Sequence, residues 1–134
     1  LEYRVDLNHN YSVSIDGKRF YQALRNIVGN AVKYGPESGL TLKLELNRQG
    51  EFLCLAISDN GPGIPEDKLE HIFERFYRID RERTKDLMST GLGLAIAREL
   101  IEAHRGRIEA ASQVGQGSCF TIYLPVNREE QSSL

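Results

Sequence analysis

Two neighbouring segments constrain the fold most. Leu40, Leu42, Leu44 and Leu46 alternate with Thr41, Lys43 and Glu45, and because successive side chains of a strand point to opposite faces, only one face of this strand is apolar. Phe52 to Ile57 is apolar throughout, the pattern of a central strand covered on both faces. Asn47-Arg48-Gln49-Gly50 reads as the hairpin turn between them. A wet strand next to a buried one requires a larger sheet and a layer that covers one side of it.

The covering layer is visible in the helical periods. Between Lys18 and Tyr34, Phe20, Leu24, Ile27, Val28 and Ala31 recur at helical spacing, with Asp16 placed as an N-cap and Gly35-Pro36 as a stop. A short helix is expected from about Pro65 to Phe73 and a second long one from Gly93 to His104. Imperfect alternation from Tyr3 to Ile15 reads as one or two short strands broken near Asn8-His9-Asn10. Arg107 to Ser112 and Ser118 to Leu124 form a closing pair around Gly115-Gln116-Gly117. Strands in runs, with helices between the runs, predict an α+β two-layer sandwich: a mixed sheet of about five strands with three helices packed on one face and the other face partly wet. Residues 77–90 hold seven charged side chains without a sustained period, so they are expected to form a mobile loop or lid. A polar tail is expected over about 127–134.

At 134 residues the chain has the length of one domain, and 1–134 is read as a single unit. Lys plus Arg is 17 against 19 Asp plus Glu, a net charge of −2, so there is no basic field to hold nucleic acid. Cys54 and Cys119 lie in strand-like runs without metal-ligand spacing, which points to a reducing, cytoplasmic setting. No apolar run approaches the ~20 residues of a membrane span. The opening LEYRVDLNHN has neither a signal-peptide pattern nor an initiator Met, so the chain is expected to be part of a longer protein.

Three segments could carry chemistry. Gln22, Asn26, Asn30 and Lys33 fall on a narrow stripe of the first helix at ~100° per residue. The stripe reads either as a solvated edge or, since an amide carbonyl is a hard oxygen ligand and lysine a phosphate partner, as a holder of Mg-polyphosphate. Asn is a poor helix former, so two of them four residues apart carry a propensity cost. Asp59-Asn60-Gly61-Pro62-Gly63 follows the buried strand directly and reads either as a plain turn or as a carboxylate beside glycines that let a planar ligand approach. Thr90-Gly91-Leu92-Gly93-Leu94 opens the last long helix. It is either a hinge or a phosphate site made of free backbone N–H groups and the positive end of the helix dipole. Glu66 stands where a dinucleotide fingerprint needs its third glycine. No Gly-Lys-Ser/Thr is present for a Walker loop, and His104-Arg105-Gly106 lacks the aspartate of the protein-kinase catalytic loop.

Four segments in order, Asn26 to Tyr34 (NIVGNAVKY), Asp59 to Ile64 (DNGPGI), Phe73 to Arg78 (FERFYR) and Thr90 to Ile96 (TGLGLAI), together with the closing GSCFTIYLP, resemble the ATP-binding catalytic domain of sensor histidine kinases. That family lies within a superfamily that includes DNA gyrase, heat-shock chaperones and mismatch-repair clamps. The resemblance runs from about Asp16 to Pro125. It implies ATP and Mg as cofactors, with Asn30 as Mg ligand, Asn26 its neighbour, Lys33 a phosphate contact and Tyr34 beside the adenine. It further implies that Asp59 accepts from the adenine amine, that Gly61 and Gly63 give the base room next to Ile64, and that Phe73 and Phe76 form an aromatic box anchoring the lid. Arg78, and less directly Arg75, would reach the terminal phosphate, and Thr90, Gly91, Leu92, Gly93 and Leu94 would line the phosphates.

The implied activity is protein-histidine kinase: transfer of the γ-phosphoryl group to a histidine on a dimerisation and phosphoacceptor domain of the same parent, with a response regulator downstream in a two-component system. Asn30, Lys33 and Arg78 would carry the transfer. None of His9, His71 and His104 has the setting of an acceptor, so the acceptor lies elsewhere. The isolated domain is expected to be a monomer, and the parent is of a kind often anchored in a membrane. Two departures stand out: Ser89 replaces the usual first glycine of the lid hinge, and Arg105 interrupts the usual His-Gly-Gly. Hydrolysing members of the superfamily carry a glutamate one turn before the Mg-ligand asparagine, where this chain has Asn26, and a neutral amide cannot serve as the base. A degenerate module acting only as a scaffold is the remaining alternative, and the intact Asn30, Asp59, Gly63, Gly91 and Gly93 speak against it.

Overall fold

The computed structural model describes residues 2–5, 12–36, 38–77 and 92–127. In chain order the elements are β1 (Glu2–Val5), α1 (Gly17–Tyr34), β2 (Leu42–Gln49), β3 (Phe52–Asp59), α2 (Glu66–Leu69), α3 (Gly93–Ala103), β4 (Arg107–Gln113) and β5 (Gly117–Pro125). The sheet order is β1-β2-β3-β5-β4. Its body is the antiparallel set β2, β3, β5 and β4, and β1 joins the β2 edge in parallel, with Tyr3 opposite Leu44.

Register explains why one face is dry. Leu44 lies opposite Ile57, Ile57 opposite Phe120 and Phe120 opposite Ala110, while Leu55 lies opposite Ile122 and Ile122 opposite Ile108. These side chains share one face and meet Ala23 and Ile27 of α1 and Leu94, Ala97 and Ile101 of α3 in a single core. On the other face Arg107 lies 3.9 Å from the centre of the Tyr123 ring and 5.2 Å from that of Phe52. Cys54 is buried on that face, where desolvation raises its thiol pKa, and both Cys54 and Cys119 are free. The two-layer arrangement read from the sequence is therefore present, with the helices of the described residues on one side.

Helices α1 and α3 run antiparallel and are pinned at two points. Asp16 caps α1, its Oδ1 accepting from the Lys18 and Arg19 amides at 3.1 and 3.2 Å, while its own backbone N–H donates to His104 Nε2 at 2.9 Å. His104 Nδ1 in turn donates to the Leu100 carbonyl at 2.7 Å, since a carbonyl can only accept. Ten residues along α1 from this first pin, Asn26 Nδ2 donates to the Gly93 carbonyl at 3.1 Å.

Several boundaries differ from expectation. The β2–β3 turn is Gly50-Glu51 alone, with Gln49 opposite Phe52, so Asn47 and Arg48 remain in the strand. Gly50 at φ 60° is the positive-φ residue such a two-residue turn needs at its first central position. The short helix is only Glu66–Leu69. It continues as turns in which the amides of His71, Glu74 and Tyr77 bond three residues back. Residues 12–16 are not strand: Val13 packs on the core, Ile15 is exposed, and the Ser12 carbonyl accepts from Asn127. The expected break at 8–10, most of the lid at 77–90 and the tail beyond Asn127 lie outside the described residues. Among the described residues, no helix is long and apolar enough to cross a membrane.

Candidate functional site

Asp59 is the last residue of β3, where the strand leaves the sheet beside β5. Its Oδ1 accepts from the Gly61 amide at 2.8 Å and the Ser118 amide at 3.3 Å. Both bonds fall on one carboxylate oxygen, which leaves Oδ2 for a ligand. Asn60 does other work: its side chain donates to the Gly39 carbonyl at 2.8 Å and accepts from the Thr41 amide at 2.7 Å, bracing the segment that leads into β2.

The glycines next to Asp59 are required for a reason the sequence did not suggest. A Cβ on Gly63, at φ 79°, would come within 2.3 Å of the Gln113 carbonyl oxygen, and one on Gly61 within 2.9 Å of Asp59 Oδ1. The missing side chains thus make room for the protein's own β4–β5 turn and carboxylate, and both glycines also line the cleft. Gly117 is tighter still, with φ 131° and a would-be Cβ 1.9 Å from the Asp59 carbonyl oxygen. The Gly115 amide donates to the Pro62 carbonyl at 2.8 Å, so the 61–64 loop is stitched to the terminal hairpin.

These elements line an open cleft between α1 and the ends of β3 and β5. Of the residues expected from the sequence it brings together Asn30, Tyr34, Asp59, Gly61, Gly63 and Ile64, and it adds Ala31, Gly35, Pro62, Ser118 and Phe120. Gly35 is also sterically required, a Cβ there lying 2.7 Å from the Ala31 carbonyl oxygen. The helix stop carried Gly35, and the Gly-Ser of the last strand carried Ser118, but neither signal alone pointed to a cleft.

Asn26, Lys33 and the start of α3 stand beside the cleft rather than in its wall. Lys33 Nζ lies 4.9 Å from the centre of the Tyr34 ring. At α3 the cap residue Leu92 makes no side-chain hydrogen bond, and the first bond it accepts comes from Ile96. The amides of Gly93, Leu94 and Ala95 therefore have no partner inside the helix. Leu94 buries its side chain in the core, so only its backbone can serve a ligand.

The two phenylalanines are separated. Phe73 packs edge-on against Phe120, a wall of the cleft, with ring centres 6.2 Å apart. Phe76 is 67% exposed at φ 67°. Arg75 is paired with Glu99 of α3, so its guanidinium is held on the helix and not aimed into the cleft. His71 lies between Glu70 and Glu74, and its hydrogen bond to Glu74 holds the imidazole above the usual histidine range. Arg78, Thr90 and Gly91 lie outside the described residues.

The donor set fits a nucleotide with its metal. A carboxylate at the closed end suits an amine, and uncapped helical amides suit phosphates. Among the described residues no group of three His, Cys, Asp or Glu could hold a metal; Asn30, which lines the cleft, carries an amide oxygen of the hard kind that Mg takes.

Comparison with known proteins gives a consistent result. The profile of the family described as "Histidine kinase-, DNA gyrase B-, and HSP90-like ATPase" matches residues 15–128. Sensor histidine kinase WalK of Bacillus subtilis is 45% identical over 120 residues, which are 89% of this chain and 20% of WalK. Circadian input-output histidine kinase CikA of Synechococcus elongatus is 38% identical over 128 residues, 93% of this chain and 17% of CikA. The chain thus spans about a fifth of the length of these relatives. Among solved structures, a mycobacterial sensor histidine kinase MprB superposes with a TM-score of 0.78 at 29% identity, covering 94% of this chain and 84% of that one. Full-length ShkA in complex with AMPPNP gives 0.76 at 28%, covering 93% of this chain and 25% of that one.

Proposed function

This chain belongs to the histidine kinase-, DNA gyrase B-, and HSP90-like ATPase family, and from that we propose that it binds Mg-ATP in the cleft and supplies the γ-phosphoryl group to a histidine on a separate dimerisation domain of a sensor kinase. The observation that carries the nucleotide reading is the convergence of Asn30, Tyr34, Asp59 and Gly63, drawn from two distant motifs, on one cleft.

Asp59 Oδ2 accepts from the adenine amine, and the tethering of Oδ1 to two amides fixes the direction in which it does so. Asn30 offers its carbonyl to Mg, which when bound offsets phosphate charge. Lys33, Arg78 and the backbone N–H groups at Gly91 and Gly93 hold the phosphates, with Thr90 and Leu92 shaping the hinge. Transfer of this kind is mostly positioning and charge neutralisation. Asn26 supports transfer over hydrolysis. Its amide nitrogen is a donor to Gly93, so the position where hydrolysing relatives would need a base holds a group that cannot take a proton.

The acceptor belongs to the dimerisation domain, with a response regulator receiving the group afterwards. Both nitrogens of His104 are engaged, by Asp16 and Leu100, and both of His71 by carboxylates, so neither presents a free nucleophile.

Calorimetry and labelling test the reading together. Asn30→Ala should weaken Mg-ATP by roughly tenfold or more while leaving metal-free adenosine nearly unchanged, because only the former carries a charge for the metal to offset. With radiolabelled ATP the chain should leave itself unlabelled and label its parent's dimerisation domain. Steady hydrolysis without phosphoprotein would instead favour a clamp-like ATPase.

A further inference from the structure

One hydroxyl outside the cleft organises its polar end. Ser112 of β4 is not part of the cleft wall, yet its Oγ makes three contacts: it accepts from the Ile64 amide at 2.7 Å, donates to the Gly117 carbonyl at 3.0 Å, and lies 2.8 Å from Ser118 Oγ. A hydroxyl has one proton and two lone pairs. The Gly117 oxygen can only accept, so it takes the Ser112 proton, and the Ile64 N–H takes one lone pair. The contact with Ser118 must then use Ser112's second lone pair and the proton of Ser118. Ser118 does line the cleft, is 9% exposed, and sends its own amide to Asp59.

The consequence is a fixed polarity. With its proton turned away toward β4, Ser118 offers the cleft only lone pairs, beside a carboxylate that also only accepts. A serine free to rotate would offer a donor or an acceptor as the ligand required and would discriminate nothing. We propose that Ser112 is a positioning residue that locks Ser118 as an acceptor, so that the site takes a purine with an amine at position six and rejects one with an oxygen there. This deepens, and rests on, the reading of the cleft as an ATP site.

The test compares ATP with inosine triphosphate, in which an oxygen replaces the amine. Wild type should prefer ATP, and Ser112→Ala should lower the ratio of the inosine triphosphate Kd to the ATP Kd about tenfold, the worth of one well-placed hydrogen bond, because Ser118 can then turn and donate to the oxygen. Ser112→Thr keeps the hydroxyl and should keep the ratio. Ser118→Ala should lower the ratio by a similar factor, and the double variant should fall no further, since Ser112 acts through Ser118. If Ser112→Ala weakens both nucleotides equally, Ser112 is only a brace between loop and strand and the proposal fails. It fails also if the two substitutions multiply in their effect on the ratio. Should Ser112→Ala not fold, Ser118→Ala decides, and an unchanged ratio there overturns the proposal. A wild-type chain that binds neither nucleotide removes the ATP reading itself, a result distinct from binding both without the predicted shift.

Discussion

At the base end of the cleft the amides of Gly61, Ile64 and Ser118 all end on side-chain oxygens of the protein, those of Asp59 and Ser112, whereas at the α3 end the helix begins after Leu92 with no side-chain cap. The base end is complete before any ligand arrives. Among the described residues, no side chain takes the first amides of α3, which on the proposed reading face the phosphates. On the proposed reading, a preformed pocket for the base and an unfinished cradle for the phosphates would let one part of a nucleotide bind to a rigid wall while the other completes the structure around it.

The contrast is broken most severely through the glycines. Gly117→Ala, with its Cβ 1.9 Å from the Asp59 carbonyl oxygen at φ 131°, should lower unfolding free energy by about 3 kcal/mol or more in a denaturant titration. Gly93→Ala, whose nearest contact would be Asn26 Cβ at 3.9 Å, should stay within about 1 kcal/mol of wild type or gain stability, since alanine favours a helix. Comparable losses for the two would erase the distinction between the ends.

Asp59→Asn sharpens the comparison at the base end. The amide oxygen can still accept from Gly61 and Ser118, but the other position becomes a donor facing the adenine amine. ATP should bind about ten to a hundred times more weakly, the 1–3 kcal/mol of an unpaired buried donor. Affinity for inorganic tripolyphosphate should not change, and a parallel loss there would show that the carboxylate supports the whole cleft.

Asn26→Ala probes the other end with a smaller effect. Removing the bond to the Gly93 carbonyl frees the start of α3, and ATP affinity should drop about fivefold, about 1 kcal/mol. Adenosine should bind as before by the same calorimetric assay.

The same division marks what could be read from the sequence. Helix α1 was legible because its apolar spacing, the Asp16 cap and Gly35 all lie within one stretch of chain. Two of the four motifs, Asn26 to Tyr34 and Asp59 to Ile64, pointed to residues of the cleft because each is local. The network around Ser112 was not legible: it joins residues 48 apart to Ile64 and brings Ser118 59 positions from Asp59, distances over which no periodicity carries information. The steric demand on Gly63 was not legible for the same reason, since the atom its Cβ would meet is the carbonyl oxygen of Gln113. The turn after β2 was placed too early because Asn and Arg look like turn residues, while Gly50 at φ 60° needs only Glu51 beside it. The pairing of Arg75 with Glu99 was not legible either, because its partner lies on a helix 24 residues away.

Amide hydrogen exchange with and without Mg-ATP tests the central claim most directly, because protection reports which donors are already satisfied. The amides of Gly61, Ile64 and Ser118 should be protected in the free protein and change little on binding. Those of Gly93, Leu94 and Ala95 should exchange faster in the free protein and slow markedly with nucleotide. Equal slowing at both ends, or slowing confined to the base end, would contradict a cleft whose base pocket is preformed and whose phosphate cradle is completed by its ligand.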